Sequence, residues 1–256
     1  MSSVVTTVIL HGFSGDSASL GDFVNAYGHT NTYAVDMPEF GTNHRPYDRN
    51  WPSYASAVMD SIRDAAGRGP YRIIGHSQGA MIAYALAVQF PDDVHSIALV
   101  CPPVYGSRLG GIFLMVNTLL RRLMGDDRTV SLHQRPRVVK LMSWLSKVHN
   151  WPSGAFDRFH AIRLGESEHY TADMMKLMDM LVDFPKVYDT SKVAKAAVIL
   201  PSRNDRIVGN RDIQWLRRRL PRATVTWVRG GHAAPVIFPQ EVASALHTAF
   251  ASGSAS

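Results

Sequence analysis

The sequence is poor in cysteine, in charged residues and in long apolar runs, and each shortage excludes a class of protein. Cys101 is the single cysteine of the 256 residues, which excludes an internal disulfide and a cysteine-based zinc site. Charged residues make up 19% and hydrophobic residues 46%, a balance that excludes intrinsic disorder. The most apolar run, 112–120, falls far short of the ~20 residues that a membrane-spanning helix needs.

Positive charge exceeds negative charge, with a formal net charge of +6. A basic face could attract nucleic acid or anionic ligands, or the arginines could belong to an ordinary solvated surface. The arginines are scattered and no nucleic-acid motif accompanies them, so we expect no nucleic-acid partner. Residues 1–7 contain no Lys or Arg and no long apolar core, so we expect no signal peptide and a cytoplasmic location.

Short apolar runs alternate with amphipathic stretches along most of the chain. Such runs are typical of strands buried on both faces of a parallel sheet. The alternation predicts an α/β fold with a doubly wound, mostly parallel sheet of about six strands. The predicted strands lie at 4–10, 32–35, 71–74, 96–100, 196–200 and 224–228. The helices predicted with them lie at 54–66, 80–90, 213–220 and 240–250.

One long segment breaks the alternation. Between the fourth and fifth predicted strands, residues 104–192 show helical patterns and no convincing strand. The segment is too long for a simple loop. The sequence therefore predicts a core made of residues 1–103 and 193–256, with residues 104–192 forming a helical cap inserted after the fourth predicted strand.

The third predicted strand leads into Gly75-His76-Ser77-Gln78-Gly79, which has the form G-x-S-x-G. In such a turn between strand and helix the serine hydroxyl stands above the sheet, and the crowded backbone leaves room only for glycine two residues to either side. The turn also places Ser77 at the positive amino-terminal end of a helix. The bare pattern is weak, but its context between a strand and a helix favours Ser77 as a nucleophile over a plain turn.

Acyl transfer also needs N–H donors for the developing oxyanion, a base, and a carboxylate that orients the base. The predicted donors are the backbone N–H groups of Gln78 and of Phe13, which lies in the loop after the first strand; an ordinary glycine-rich turn is the alternative for that loop. Among 11 histidines, His232 directly follows the last predicted strand, and Asp205 follows the fifth. They are the predicted base and acid. The rival carboxylates, which follow the second strand, are Asp36 and Glu39.

Taken together, the chain resembles the α/β-hydrolase superfamily over essentially its whole length. The residues that carry the resemblance are His11-Gly12, Gly75-x-Ser77-x-Gly79, Asp205 and His232, in the order serine, aspartate, histidine. The resemblance implies a Ser-His-Asp hydrolase with a helical cap after the sixth strand of the family's pattern. The oxyanion loop starts at residue 11, before which the family often has two extra strands, so we expect a trimmed sheet.

The predicted cap is rich in methionine, which adapts to varied apolar ligands or simply fills space between cap and core. The residues predicted to contact an apolar acyl or aryl group of a small-molecule substrate are Met174, Met175, Met178 and Trp144. No G-x-G-x-x-G follows the first strand and no cluster of metal ligands stands out, so no cofactor or metal is expected.

We therefore expect a cofactor-free serine hydrolase that cleaves a carboxylic ester through an acyl-enzyme. The same triad would serve in the hydrolysis of a thioester or of a carbon–carbon bond. The alternative from a different class is a ligand-binding receptor that kept the fold without turnover.

Overall fold

The computed structural model describes residues 5–13, 15–28, 30–105, 119–125 and 172–253, together with 128–129, 131–132, 135 and 137. It confirms the predicted fold class: six strands form one sheet in the order β2-β1-β3-β4-β5-β6, and every neighbouring pair is parallel. The strands are β1 (Thr6–Leu10), β2 (Thr32–Val35), β3 (Tyr71–His76), β4 (Val94–Val100), β5 (Ala196–Leu200) and β6 (Thr224–Val225). The helices are α1 (Gly21–Tyr27), α2 (Trp51–Ala66), α3 (Gln78–Gln89), α4 (Ala172–Val187), α5 (Asn210–Arg219), α6 (Ala234–Ile237) and α7 (Pro239–Gly253).

The strand order reverses at β1, which makes the sheet doubly wound. The connection from β1 to β2 runs one way across the sheet, and the connections from β2 to β3 and on to β4 run the other way. Right-handed crossovers therefore place α1 on one face and α2 and α3 on the other. On its own face α1 packs against α7, while α2 packs against α3. The carboxyl ends of the strands meet at one edge, where sheets of this kind bind their ligands.

Helix α3 has no polar face. Each residue from Ala80 to Ala87 is at most 4% exposed, because the helix packs on β3 and β4 and is covered by α2. Burial on all sides explains why its sequence is apolar without the period of an amphipathic helix. The helix is therefore a fixed base for the residue that precedes it, Ser77.

The predicted and observed elements agree in type and order, except at β6 and at the short helices α1 and α6, which were not predicted. Strand β6 ends at Val225, earlier than predicted, and Val228 continues the pairing only as an isolated bridge to Ser202. Helix α1 was not predicted, because seven residues that begin with glycine are too few to show a helical period.

Helix α4 lies at the end of the predicted insertion and docks on the core. The Trp51 indole N–H donates to the backbone carbonyl of Met180 at 2.6 Å, and the rings of Trp51 and Phe184 lie 5.0 Å apart, edge to face. Phe184 is fully buried. Most of 104–192 lies outside the described residues, so the cap stays a prediction. No described helix, α4 included, is long and apolar enough to cross a lipid bilayer.

Candidate active site

Ser77 occupies a strained turn between β3 and α3. Its backbone angles are φ 54° and ψ −117°, a conformation that residues other than glycine rarely adopt. The two glycines make the turn possible. A Cβ on Gly75 would lie 2.1 Å from the carbonyl oxygen of Gly79, and a Cβ on Gly79 would lie 2.5 Å from the carbonyl oxygens of Leu10 and His11.

The fold brings Ser77, His232 and Asp205 together. His232 Nε2 lies 2.8 Å from Ser77 Oγ, and His232 Nδ1 lies 3.0 Å from Asp205 Oδ2. Ser77 ends the turn after β3, whereas the other two residues follow β5 and β6. Because parallel strands end at the same edge of a sheet, residues 155 positions apart in the chain meet there.

The surroundings of Asp205 hold its carboxylate ionised. Its second oxygen accepts the backbone N–H groups of Ile207 at 2.8 Å and Val208 at 3.0 Å. Burial alone would raise the pKa of Asp205, but its hydrogen bond to His232, the charge on that histidine and these two N–H groups outweigh burial and hold the pKa below its usual value. An ionised carboxylate only accepts hydrogen bonds, so the proton of neutral His232 lies on Nδ1 and Nε2 can accept one from Ser77.

The loop after β1 lies directly against the turn that carries Ser77. A Cβ on Gly12 would come within 3.1 Å of Ser77 Cβ. The first N–H groups of a helix have no partner within the helix, and that of Gln78, at the start of α3, is one of them. Among the described residues neither this N–H nor that of Phe13 donates a hydrogen bond. Within the described residues, both N–H groups are thus without an acceptor.

Asp36, Glu39 and His11, which the sequence also marks near the ends of β1 and β2, form hydrogen bonds within and between loops. Asp36 Oδ1 accepts the backbone N–H of Ser17 at 2.6 Å, and its carbonyl oxygen accepts the side chain of Asn43 at 2.7 Å. Glu39 has φ 72° and its N–H donates to the Asn43 carbonyl at 3.0 Å. His11 joins two loops, because His11 Nε2 accepts the N–H of Met37 at 3.1 Å.

Cys101 lies beside Asp205 and His232. Its Sγ, a carboxylate oxygen of Asp205 and an imidazole nitrogen of His232 all lie within 4.8 Å of one another, and all three are metal-ligand types. Hydrogen bonds explain the grouping, because Asp205 and His232 bind each other and the thiol contacts the Gly231 carbonyl at 3.7 Å. Burial, and then the charge of Asp205, raise the pKa of the Cys101 thiol. These contacts favour an inert, buried side chain.

One residue of this site was missed by the sequence reading. His76 Nε2 lies 2.7 Å from the backbone carbonyl of His232, so the residue before Ser77 reaches the loop after β6. The position is an unspecified x in G-x-S-x-G, and no pattern in the sequence marks it. The predicted substrate contacts cannot be compared in the same way, since the side chains of Met174, Met175 and Met178, and all of Trp144, lie outside the described residues.

The fold, and the residues that meet at the carboxyl ends of the strands, are those of the α/β-hydrolase class. Comparison with known proteins agrees. The sequence model of the alpha/beta hydrolase family matches residues 7–245, so the chain belongs to that family. The resemblance found in the sequence is thereby confirmed.

Individual relatives are more distant. The chain is 27% identical over 117 residues to "Probable lysophospholipase BODYGUARD 5" of Arabidopsis thaliana, a match that covers 42% of this chain and 26% of that protein. The chain thus spans about a quarter of this relative. Among solved structures, a thermophilic esterase superposes with a TM-score of 0.69 at 15% identity, over 98% of this chain and 91% of that one. The epoxide hydrolase CorEH gives 0.73 at 16% identity, over 98% and 92%. At these identities the structures show the shared fold alone.

Proposed function

We propose that this protein is a serine hydrolase that cleaves a carboxylic ester through a covalent acyl-enzyme. The observation that carries the proposal is the continuous line of hydrogen bonds from Asp205 through His232 to the hydroxyl of Ser77, with separations of 3.0 and 2.8 Å. These are the distances that proton transfer requires. The strained backbone of Ser77 adds support, because strain of this kind persists where a nucleophile must stand clear of its surroundings.

The proposed reaction begins when Ser77 Oγ attacks the ester carbonyl while His232 Nε2 takes the hydroxyl proton. The N–H groups of Phe13 and Gln78 bind the oxyanion that forms, aided by the positive end of the α3 dipole. His232 then gives its proton to the leaving alcohol, and the carbon–oxygen bond breaks. In the second half His232 takes a proton from water, the resulting hydroxide attacks the acyl-enzyme, and the acid leaves as Ser77 recovers its proton.

Asp205 does not exchange the proton in this scheme. Its ionised carboxylate keeps the proton of neutral His232 on Nδ1 and stabilises the imidazolium that forms in each half-reaction. The pKa of Asp205, held below its usual value by His232 and by the N–H groups of Val208 and Ile207 against the opposing effect of burial, suits this role.

For the substrate we propose a small molecule with an apolar acyl or aryl group. The support is the methionine-rich sequence of residues 104–192 and the kind of relatives that the chain has, among them proteins described as a lysophospholipase and an esterase. Thioester and carbon–carbon bond hydrolysis would use the same groups, so the test must present all three bonds.

Steady-state turnover tests the proposal. The purified chain is assayed against p-nitrophenyl esters, acyl-CoA thioesters and vinylogous diketones, beside Ser77→Ala and, as a control on an exposed serine of α7, Ser244→Ala. We expect multiple turnovers of esters by the native chain and by Ser244→Ala, and a loss of ~10⁴-fold or more in Ser77→Ala. Faster cleavage of thioesters or of diketones would assign the substrate to that class instead of to the esters. One turnover only, or binding without any, would favour a receptor instead.

A further inference from the structure

His76 lies between three of the segments that carry the proposed catalytic groups: the serine turn, the loop after β1 and the loop after β6. It ends β3 and precedes Ser77, and its Nε2 lies 2.7 Å from the carbonyl oxygen of His232. A carbonyl only accepts hydrogen bonds, so Nε2 of His76 carries the proton and donates it. The imidazoles of His76 and His232 have their centres 5.5 Å apart. A side chain of the serine turn therefore holds the main chain of the base.

The other side of the same imidazole faces the loop after β1. A Cβ on Gly12 would come within 3.1 Å of His76 Nδ1 and 3.4 Å of its Cε1. A Cβ there would make an unusually tight contact, so glycine favours the close approach of this loop, which carries Phe13, the proposed oxyanion donor. The His76 ring thus fills the space between the oxyanion loop and the loop of the base.

The chain reaches His232 through two glycines and a 3-10 turn, Gly231–Ala233. Gly230 and Gly231, which precede His232, have φ of 109° and 65°, and glycine at such angles gives the chain wide conformational freedom. Asp205 holds the imidazole of His232 but not its backbone. The Cys101 thiol reaches the Gly231 carbonyl only at 3.7 Å, a weak contact beside the 2.7 Å bond from His76.

We propose that His76 is a positioning residue, whose Nε2–H bond to the His232 carbonyl holds the base at proton-transfer distance from Ser77. This inference rests on the proposed function of Ser77 and His232. Two fixed points, the carboxylate on Nδ1 and the His76 donor on the main chain, then determine where His232 Nε2 lies. A displacement of about 1 Å at this nitrogen would be costly, since reactions of this kind lose on the order of 100-fold for such errors.

The role also requires His76 to be uncharged. Burial, followed by the neighbouring charge of His232, lowers the pKa of His76 to about 4, so it is neutral at the pH where His232 works as a base. A charged His76 would stand beside the imidazolium that His232 becomes in the reaction and would oppose its formation.

The test compares two replacements. His76→Gln keeps a side-chain N–H donor and His76→Met removes it at similar volume. Each variant is titrated for active sites, and the rate of covalent labelling by a fluorophosphonate is measured per active site with kcat and KM. We expect His76→Met to lose about 10- to 100-fold in labelling rate and in kcat, with KM within about twofold, and His76→Gln to recover most of the loss. His95→Met, which removes a histidine near the start of β4 at the opposite edge, is the matched control and should change neither.

The outcomes distinguish a failure of the positioning role from a failure of the proposed function on which it rests. A native chain that the fluorophosphonate does not label would overturn the proposed function. A native chain that is labelled, with His76→Met labelled equally fast per active site, would overturn the positioning role alone. If His76→Met does not fold, NMR of ¹⁵N-histidine in the native chain decides: a proton on Nε2 of His76 from pH 5 to 8 supports the role, and a proton on Nδ1 or a titration in that range contradicts it.

Discussion

His232 Nε2 lies 2.8 Å from Ser77 Oγ although 155 positions of the chain separate the two residues. The sheet explains the distance. β3 ends at His76, one residue before the serine, and the loop after β6 returns the histidine to the same edge. The contact between the two side chains exists only in the folded sheet. The proposed chemistry therefore depends on the strand order.

The identity of the acid can be tested with a pair of matched variants. Asp205→Asn keeps the shape of the side chain but lets it donate to His232, which favours the wrong tautomer, and we expect kcat to fall by up to ~10⁴-fold. Asp36→Asn removes a carboxylate that binds the N–H of Ser17 at 2.6 Å, so it should cost about 1–2 kcal/mol of stability and little of kcat. The reverse order of the two losses in kcat would show that Asp36 is the acid.

Strain at Ser77 predicts a difference in stability between two inactive variants. Ser77→Ala keeps a Cβ at φ 54°, whereas Ser77→Gly removes it. A backbone strained in this way costs roughly 1–3 kcal/mol, part of which glycine returns through its greater freedom in the unfolded chain. We expect urea unfolding to show Ser77→Gly about 1 kcal/mol more stable than Ser77→Ala. Equal or lower stability of the glycine variant would mean that the turn stores no strain.

Stability should fall in mild acid because of the buried histidines. The pKa of His76 is lowered to about 4 by burial and then by the charge of His232, and burial also lowers the pKa of His11. Unfolded histidine has a pKa near 6.5, so below that pH the unfolded chain takes up protons that the folded chain does not. Between pH 6.5 and 4 His76 should reduce the free energy of unfolding by about 1.4 kcal/mol per pH unit, and His11 should act in the same direction.

His76→Gln isolates one of these contributions. Denaturant unfolding at several pH values should give a slope that is flatter by about 1.4 kcal/mol per pH unit in the variant, whereas above pH 7 the two proteins should show the same dependence. Asp205 affects stability at lower pH. Its lowered pKa stabilises the folded protein above the pKa that Asp205 has in the unfolded chain, and this stabilisation is lost as the pH falls further. An unchanged slope in His76→Gln would show that His76 is charged in the folded protein.

Substrate length should matter if the methionines of residues 104–192 contact the acyl group. Each buried methylene is worth about 0.8 kcal/mol, or up to roughly fourfold in kcat/KM. We expect p-nitrophenyl butanoate to octanoate to react faster than the acetate, and longer esters to react more slowly again. Alanine at Met174, Met175 or Met178 should shift the optimum more than it changes acetate turnover. A steady fall from acetate to palmitate would assign these methionines to packing.

The elements that repeat a physical pattern were predictable from the sequence. Strand β5 lies where its apolar run predicted it, at Ala196–Leu200, because a strand buried on both faces needs no partner to be recognised. The glycines on either side of Ser77 were equally clear, since no other residue fits. The choice between Asp205 and Asp36 rested only on chain order, and distances were needed to see which carboxylate contacts His232.

The part that could not be predicted depends on contacts between distant segments. His76 resembles any other residue beside a nucleophile until its 2.7 Å bond to the His232 carbonyl is seen. The sequence does not show that Cys101 lies beside Asp205 and His232, because this depends on the pairing of β4 with β5. Seven residues of α1 carried too little periodicity to be recognised, because this helix is held by α7 from the far end of the chain.

Reaction with a fluorophosphonate, followed by mass spectrometry of peptides, tests the central claim most directly. The probe reacts fastest with a serine whose hydroxyl is activated by a neighbouring base. The account predicts one adduct per chain, on Ser77, that forms fast in the native protein, is strongly slowed in Asp205→Asn and is absent in Ser77→Ala. An adduct on another residue, or a native protein that turns over esters without any adduct, would contradict it.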